Sequence, residues 1–165
     1  MTEDPQTPEV CGGCQRLIGG GTAACRATFD RLALPVPGDN LFLRWRRLLV
    51  DVYALQHPDP FCVSARSLAA HLTGVAWIVE HPQDAAVGND QLRRWLNSRP
   101  AIVKPALPAS YGEVRIDALL DARTPEAVAA AVHRWACSTW EAYAALHPIA
   151  REWIAKALRY RGPAR

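Results

Sequence analysis

The hydrophobic positions of this chain recur at helical intervals over most of its length. Leu41, Trp45, Leu48, Val52 and Leu55 are spaced by four, three, four and three residues, the period of a helix with one apolar face. Asp39 or Asn40 offers a cap at its start, and Arg47 and Asp51 form an i, i+4 pair on the other side. Pro58 and Pro60 require this helix to end near His57. Ser64 can cap a second long helix with Leu68, Leu72, Val75 and Val79 as its stripe and a stop at His81-Pro82. Shorter helices are predicted over 23–32, using Phe29 and Leu32, and over 90–97, using Leu92, Trp95 and Leu96. Thr124-Pro125-Glu126 combines a cap hydroxyl, a proline at the first helical position and an acid in the first turn. Val128, Val132, Trp135, Thr139, Ala142 and Leu146 continue that period, and after His147-Pro148 a last helix carries Ile149, Trp153, Ile154 and Leu158.

Between these stripes the chain is broken by Pro35, Pro37 and Gly38, and again over 98–115 by Pro100, Pro105, Pro108 and Gly112. The second stretch is expected to be irregular, with at most a short extended piece at 114–116 and a helical turn near 117–120. Strand patterns are almost absent. The predicted architecture is all-α: a bundle of about five helices with a small N-terminal Cys-rich, zinc-knuckle-like appendage. Residues 1–10, with three acids and two prolines, are expected to be a disordered tail. Residues 11–161 are expected to form a single helical domain that includes the Cys-rich knuckle 11–25.

Composition narrows the class. The chain of 165 residues is 50% hydrophobic and 21% charged, enough to bury a core and too apolar for a disordered chain. No apolar run approaches the roughly 20 residues of a membrane span, and no basic start precedes an apolar stretch. The expectation is a cytoplasmic protein with no membrane partner. The net charge of +3 sits mainly at the ends: Glu3, Asp4 and Glu9 at the start, and Arg151, Lys156, Arg159, Arg161 and Arg165 against Glu152 at the finish. A nearly neutral body with a short basic tail argues against nucleic acid as the partner and leaves a protein partner open.

The five cysteines carry the strongest chemistry. An odd number at wide spacing does not suit a secreted disulfide scaffold. Cys11-Gly12-Gly13-Cys14 followed by Cys25 suits a metal, because the turn aims both sulfurs inward and the glycines permit the turn. Tetrahedral zinc wants four ligands. His57, at the end of the best-defined helix, is the leading fourth, with Cys62, His71 and His147 as alternatives. The expected metal set is Cys11, Cys14, Cys25 and His57, with zinc in a structural role. His133 and Cys137 share a face at i, i+4 and offer a weaker metal or thiolate pair. Gly19–Gly21 lacks the Lys-Ser/Thr of a phosphate loop, and no nucleophile elbow is present.

Two segments are alike at an offset of 90. Arg44-Trp45, Tyr53-Ala54 and His57-Pro58 match Arg134-Trp135, Tyr143-Ala144 and His147-Pro148. Together with Cys11-x-x-Cys14 and Cys25, the run Val50-Asp51-Val52-Tyr53-Ala54-Leu55-Gln56-His57-Pro58, the run Ser67-Leu68-Ala69-Ala70-His71-Leu72, and the stretch from His133 through Trp140 and Tyr143 to His147 and Trp153, they carry a resemblance. The chain resembles a family of small bacterial proteins known only as a domain of unknown function. That resemblance implies an architecture and a metal site but no reaction, and leaves open whether the chain is an enzyme. The expectation is a zinc-stabilised helical binding or structural protein. The alternative is a metal-dependent enzyme, of thiol transferase or hydrolase type, in which His57, His71 and His147 converge inside the bundle.

Overall fold

The computed structural model describes residues 8–33, 42, 45–81 and 85–161. Among them the fold is mostly α-helical. A short antiparallel hairpin of β1 (Pro8–Val10) and β2 (Leu17–Gly19) opens the chain, with Val10 paired to Leu17. The helices α1 (Gly21–Ala33), α2 (Arg46–Gln56), α3 (Pro58–Phe61), α4 (Ala65–Glu80), α5 (Ala85–Asn97), α6 (Pro125–Ala142) and α7 (His147–Arg159) follow. Two 3₁₀ turns, Ile116–Leu119 and Ala144–Leu146, precede α6 and α7.

The helix α4 is the hub. It packs against α2, α5, α6 and α7, and a helix with that many neighbours must be apolar on several faces. Its buried set is accordingly broad: Leu68, Ala69, Leu72, Thr73, Gly74, Val75, Ala76 and Trp77. Its start is fixed by a capping box in which the Ser64 hydroxyl accepts from the Ser67 N–H and Ser67 Oγ accepts from the Ser64 N–H. Thr124 caps α6 by accepting from the Ala127 N–H, with Pro125 at the first position. The predicted stripes of α2 and α6 are both buried: Leu48, Val52 and Leu55 on one, Val128, Val132, Trp135 and Thr139 on the other.

Gln56 ties three parts of the molecule together. Its carboxamide nitrogen donates to the Tyr111 and Val114 carbonyls at 3.0 and 2.8 Å and lies 3.1 Å from Thr139 Oγ1. Its oxygen accepts from Trp135 Nε1 at 2.9 Å. The irregular stretch 98–115 is therefore pinned against α2 and α6 by a fully bonded buried side chain. The Tyr143 hydroxyl adds a bond to the Leu55 carbonyl at 2.7 Å.

Several boundaries differ from the sequence reading. The helix α2 begins at Arg46, not near Leu41, and the Asp39, Asn40 and Leu41 expected at its start lie outside the described residues. The described residues hold seven helices where a bundle of about five was expected, partly because His57-Pro58 restarts the chain as the single turn α3. Of the expected tail 1–10, residues 1–7 lie outside the described residues and Pro8–Val10 form β1. The anticipated extended piece at 114–116 is irregular chain leading into a 3₁₀ turn.

Truncating Leu48 should cost about 2–5 kcal/mol of folding free energy, because it is buried beneath α2. Gln56→Ala should cost about 3 kcal/mol by leaving Trp135 Nε1 and two carbonyls without partners. Urea melts of both variants check this; a change under about 0.5 kcal/mol in either would contradict the packing described.

Candidate metal centre

The knuckle is shaped by its backbone. Directly after β1, the Cys11 N–H donates to the Arg16 carbonyl at 2.7 Å and the Gln15 N–H donates to the Cys11 carbonyl at 2.9 Å. The residue that takes the left-handed conformation is Gln15, with φ of 60°, and not either of the glycines between the cysteines. Gly13 is needed for another reason. A Cβ there would stand 2.1 Å from His57 Cδ2, so only glycine lets the histidine ring lie against the turn. Cys25 comes from α1, whose buried residues Gly21, Cys25, Phe29 and Ala33 recur every four positions and turn the thiol toward the knuckle. Arg115 Nε donates to the Cys14 carbonyl at 2.9 Å, and Arg16 pairs with Asp117, so the region near the first 3₁₀ turn supports the knuckle from outside.

His57 terminates α2, and its ring is held on two sides. The Nδ1–H donates to the Tyr53 carbonyl at 2.9 Å, which fixes the tautomer because a carbonyl can only accept. The ring stacks on Tyr53 at 3.9 Å between centroids, and Tyr53 stacks on Phe29 at 4.1 Å. Nε2 is thereby aimed at the sulfurs, 3.5 Å from Cys11 Sγ and 3.4 Å from Cys25 Sγ, while Cys14 Sγ lies 3.9 Å from Cys25 Sγ. The four donor atoms all lie within 4.8 Å of one another, and all four residues are buried. This group could hold a metal ion.

The four groups divide their protons unevenly. Sharing a hydrogen bond with Cys25 holds the Cys14 thiol well below the usual range, against burial and with help from His57. The same shared bond and burial push Cys25 far up. For Cys11, burial pushes upward but the N–H groups of Cys14 and Gly13 outweigh it, so the thiol ends low. Burial opposes a charge on His57, yet bonds to Cys14 and the Tyr53 carbonyl raise it. Three cysteine sulfurs, two of them with lowered thiol pKa, beside an imidazole are chemically suited to a soft divalent cation.

The alternative fourth ligands go elsewhere. Cys62 is buried with its thiol on the Ala54 carbonyl at 3.6 Å. His147 stacks on Trp140 at 3.7 Å and its Nε2 donates to the Trp140 carbonyl at 2.8 Å. His71 Nδ1 sits 2.9 Å from Asp51 Oδ1. The three histidines of the alternative reading are thus held at three separate places. His133 Nδ1 lies 3.6 Å from Cys137 Sγ on an exposed face, and burial raises that thiol, which does not make it a better nucleophile. Two residues that matter here were named in the sequence reading without a role in holding this site or a place in the interior. Tyr53 supplies both the carbonyl and the stacking surface for His57, and its spacing of four from the histidine was the available signal. Asp51, read as half of an i, i+4 pair on the side of the helix away from the apolar stripe, is buried.

Comparison with known proteins adds a family. A family model described as a family of unknown function (DUF5946) matches residues 9–144. The chain belongs to that family. The match spans all four residues of the cluster, together with the helices that position them. No curated protein and no solved structure matches this DUF5946 member. None of the five cysteines is in a disulfide, and no helix among the described residues is long and apolar enough to cross a membrane.

Gly13→Ala should loosen the knuckle without disturbing the bundle, because its methyl group would occupy the space of the His57 ring. Hydrogen exchange should show faster exchange at residues 11–25 and unchanged protection in α4 and α6. Equal protection of the knuckle in wild type and variant would refute the close approach.

Proposed function

We propose that the protein is a zinc-stabilised helical module with a structural or binding role, in which Cys11, Cys14, Cys25 and His57 together ligate one Zn²⁺. The observation that carries the reading is the spacing of the four donors. With Zn–S near 2.3 Å and Zn–N near 2.0–2.1 Å, a tetrahedral site has S···S edges of about 3.8 Å and S···N edges of about 3.5 Å. Three of the six separations, 3.9, 3.5 and 3.4 Å, match those edges, and all four donors lie within 4.8 Å of one another. Three cysteine sulfurs and one imidazole grouped this closely favour zinc over the harder divalent ions. The Tyr53 carbonyl supplies the outer bond that ligating imidazoles use to hold their orientation.

Four protein donors and full burial leave no open position for substrate or water, the arrangement of a structural zinc and not a catalytic one. When bound, the ion supplies folding free energy and a fixed geometry, linking the hairpin and α1 to the end of α2. The enzyme alternative depended on convergence of His57, His71 and His147, and their separate placement removes its premise. A reducing compartment suits a site built on thiolates, and the role left for the module is to present its helical surface to a protein partner.

Metal analysis of protein purified under reducing, chelator-free conditions should give one zinc per chain. Cys11→Ser, Cys14→Ser, Cys25→Ser and His57→Ala should each lower the zinc content and loosen the N-terminal segment, whereas Cys62→Ser and Cys137→Ser should retain full zinc. Protons compete with the metal for sulfur and nitrogen, so zinc should be released as the pH falls, and refolding on return to neutral pH should require added zinc. Absence of stoichiometric metal in the wild type, or retention of full zinc in His57→Ala, would overturn the reading.

A further inference from the structure

A second polar cluster lies six residues back along α2, about 9 Å from the metal ligand along the helix axis. The Asp51 carboxylate is 1% exposed. It fits because α4 has Gly74 opposite: a Cβ there would stand 2.3 Å from Asp51 Oδ2. Arg47 Nε donates to Asp51 Oδ2 at 2.7 Å, and His71 Nδ1 approaches Oδ1 at 2.9 Å. Burying a carboxylate with two such partners is at best a neutral way to join two helices. What the arrangement does is lock the His71 ring. Its Nδ1 is committed to Asp51, its side chain remains 18% exposed, and its Nε2 makes no hydrogen bond among the described residues.

The locked ring lines an open cleft of about 570 Å³ with Arg46, Arg47, Val50 and Ala70. A neighbouring cleft of about 310 Å³ shares Arg47 and Ala70 and adds Arg66, Arg93 and Ser67. The combined surface carries four arginines against one carboxylate, which is turned inward. Arg93 pairs with Asp90, but Arg46 and Arg66 have no acidic partner among the described residues. Val50, Ala70 and the aliphatic stems of the arginines provide an apolar wall. A concave site of this size with few convergent polar groups suits a small molecule. Guanidinium groups beside an imidazole suit a doubly charged oxyanion more than a single carboxylate.

We propose that the cleft formed by α2, α4 and α5 binds a small organic phosphate, a phosphomonoester with an apolar substituent. Arg46, with no acidic partner among the described residues, supplies the charge, His71 Nε2 makes the directional contact to the phosphate, and Asp51 is a positioning residue. The site is separate from the zinc cluster and does not rest on the reading of that cluster.

Phenyl phosphate, benzoate and phenol, titrated into the full-length protein by calorimetry, test the assignment. Phenyl phosphate should bind saturably, benzoate at least about tenfold more weakly, and phenol without measurable saturation. Arg46→Ala should weaken phenyl phosphate at least about fivefold, as should His71→Asn, whose amide keeps a donor to Asp51 while removing Nε2. Arg134→Ala, on the exposed face of α6, should leave affinity unchanged. Circular dichroism and the melting temperature establish that each variant is folded, and if His71→Asn is not, Arg46→Ala decides alone. No saturable binding of phenyl phosphate by the wild type, benzoate binding as tightly, or undiminished affinity in folded Arg46→Ala would overturn the proposal.

Discussion

Four polar donors share a space from which water is excluded, and residues 8–33 together with the end of α2 are arranged around that constraint. Three thiols and an imidazole cannot lie buried together without something to satisfy them. Each can meet the others only if the chain brings three elements to one point. The knuckle contributes two sulfurs, the first turns of α1 a third, and the end of α2 the nitrogen. The helix α2 is fixed to the bundle core through Leu48, Val52 and Leu55, so His57 is the anchored member and the N-terminal segment is the part that docks. The dependence runs one way: the bundle positions the histidine, and the histidine positions the hairpin.

The end of α2 was legible because several independent signals agree there. The apolar period, Tyr four residues before His, and Pro58 immediately after all point to a helix whose last side chain is stiffly held. The caps at Ser64 and Thr124 were legible for the same reason, since a hydroxyl, a spacing and an apolar run coincide. What could not be read was which distant groups meet. Cys62, His71 and His147 each sit in an apolar context resembling that of His57. Only tertiary packing sends one to the Ala54 carbonyl, one to Asp51 and one onto Trp140. The hairpin was invisible because three-residue strands are too short to display an alternation.

Asp51 shows how a local rule can be right and still mislead. The i, i+4 spacing to Arg47 does give an ion pair, but spacing along one helix says nothing about what covers it. Here α4 covers the carboxylate, and Gly74 is the feature that allows it. A glycine in the middle of a long apolar helix lowers helix stability by about 1 kcal/mol relative to alanine, so its presence asks for a packing reason. Offset-90 similarity fails in a parallel way. Tyr53 and Tyr143 are both buried, and His57 and His147 both stack on an aromatic ring, yet the Nε2 of one faces sulfurs and the Nε2 of the other bonds a carbonyl near the end of the preceding helix α6.

The structural role proposed for the cluster is supported by what the N-terminal segment lacks. Val10 and Leu17 face each other across the hairpin but are 60% and 61% exposed, so the two strands bury little apolar surface. An isolated two-stranded hairpin is marginal in water. From α1, only Phe29 and Ala33 add larger apolar contacts to the buried set beyond the cysteine itself. The segment 8–33 therefore rests on few fully buried apolar side chains. The residues that are fully buried there are Cys11, Cys14 and Cys25, which makes the ligands themselves the segment's core. A metal is the one partner that converts buried thiols from unsatisfied groups into strong directional bonds. The bundle, with its own continuous apolar core across α2, α4, α6 and α7, has no such need. If the four donors ligate zinc as proposed, stability is divided: packing holds the helices, and ligation holds the hairpin and α1 to them.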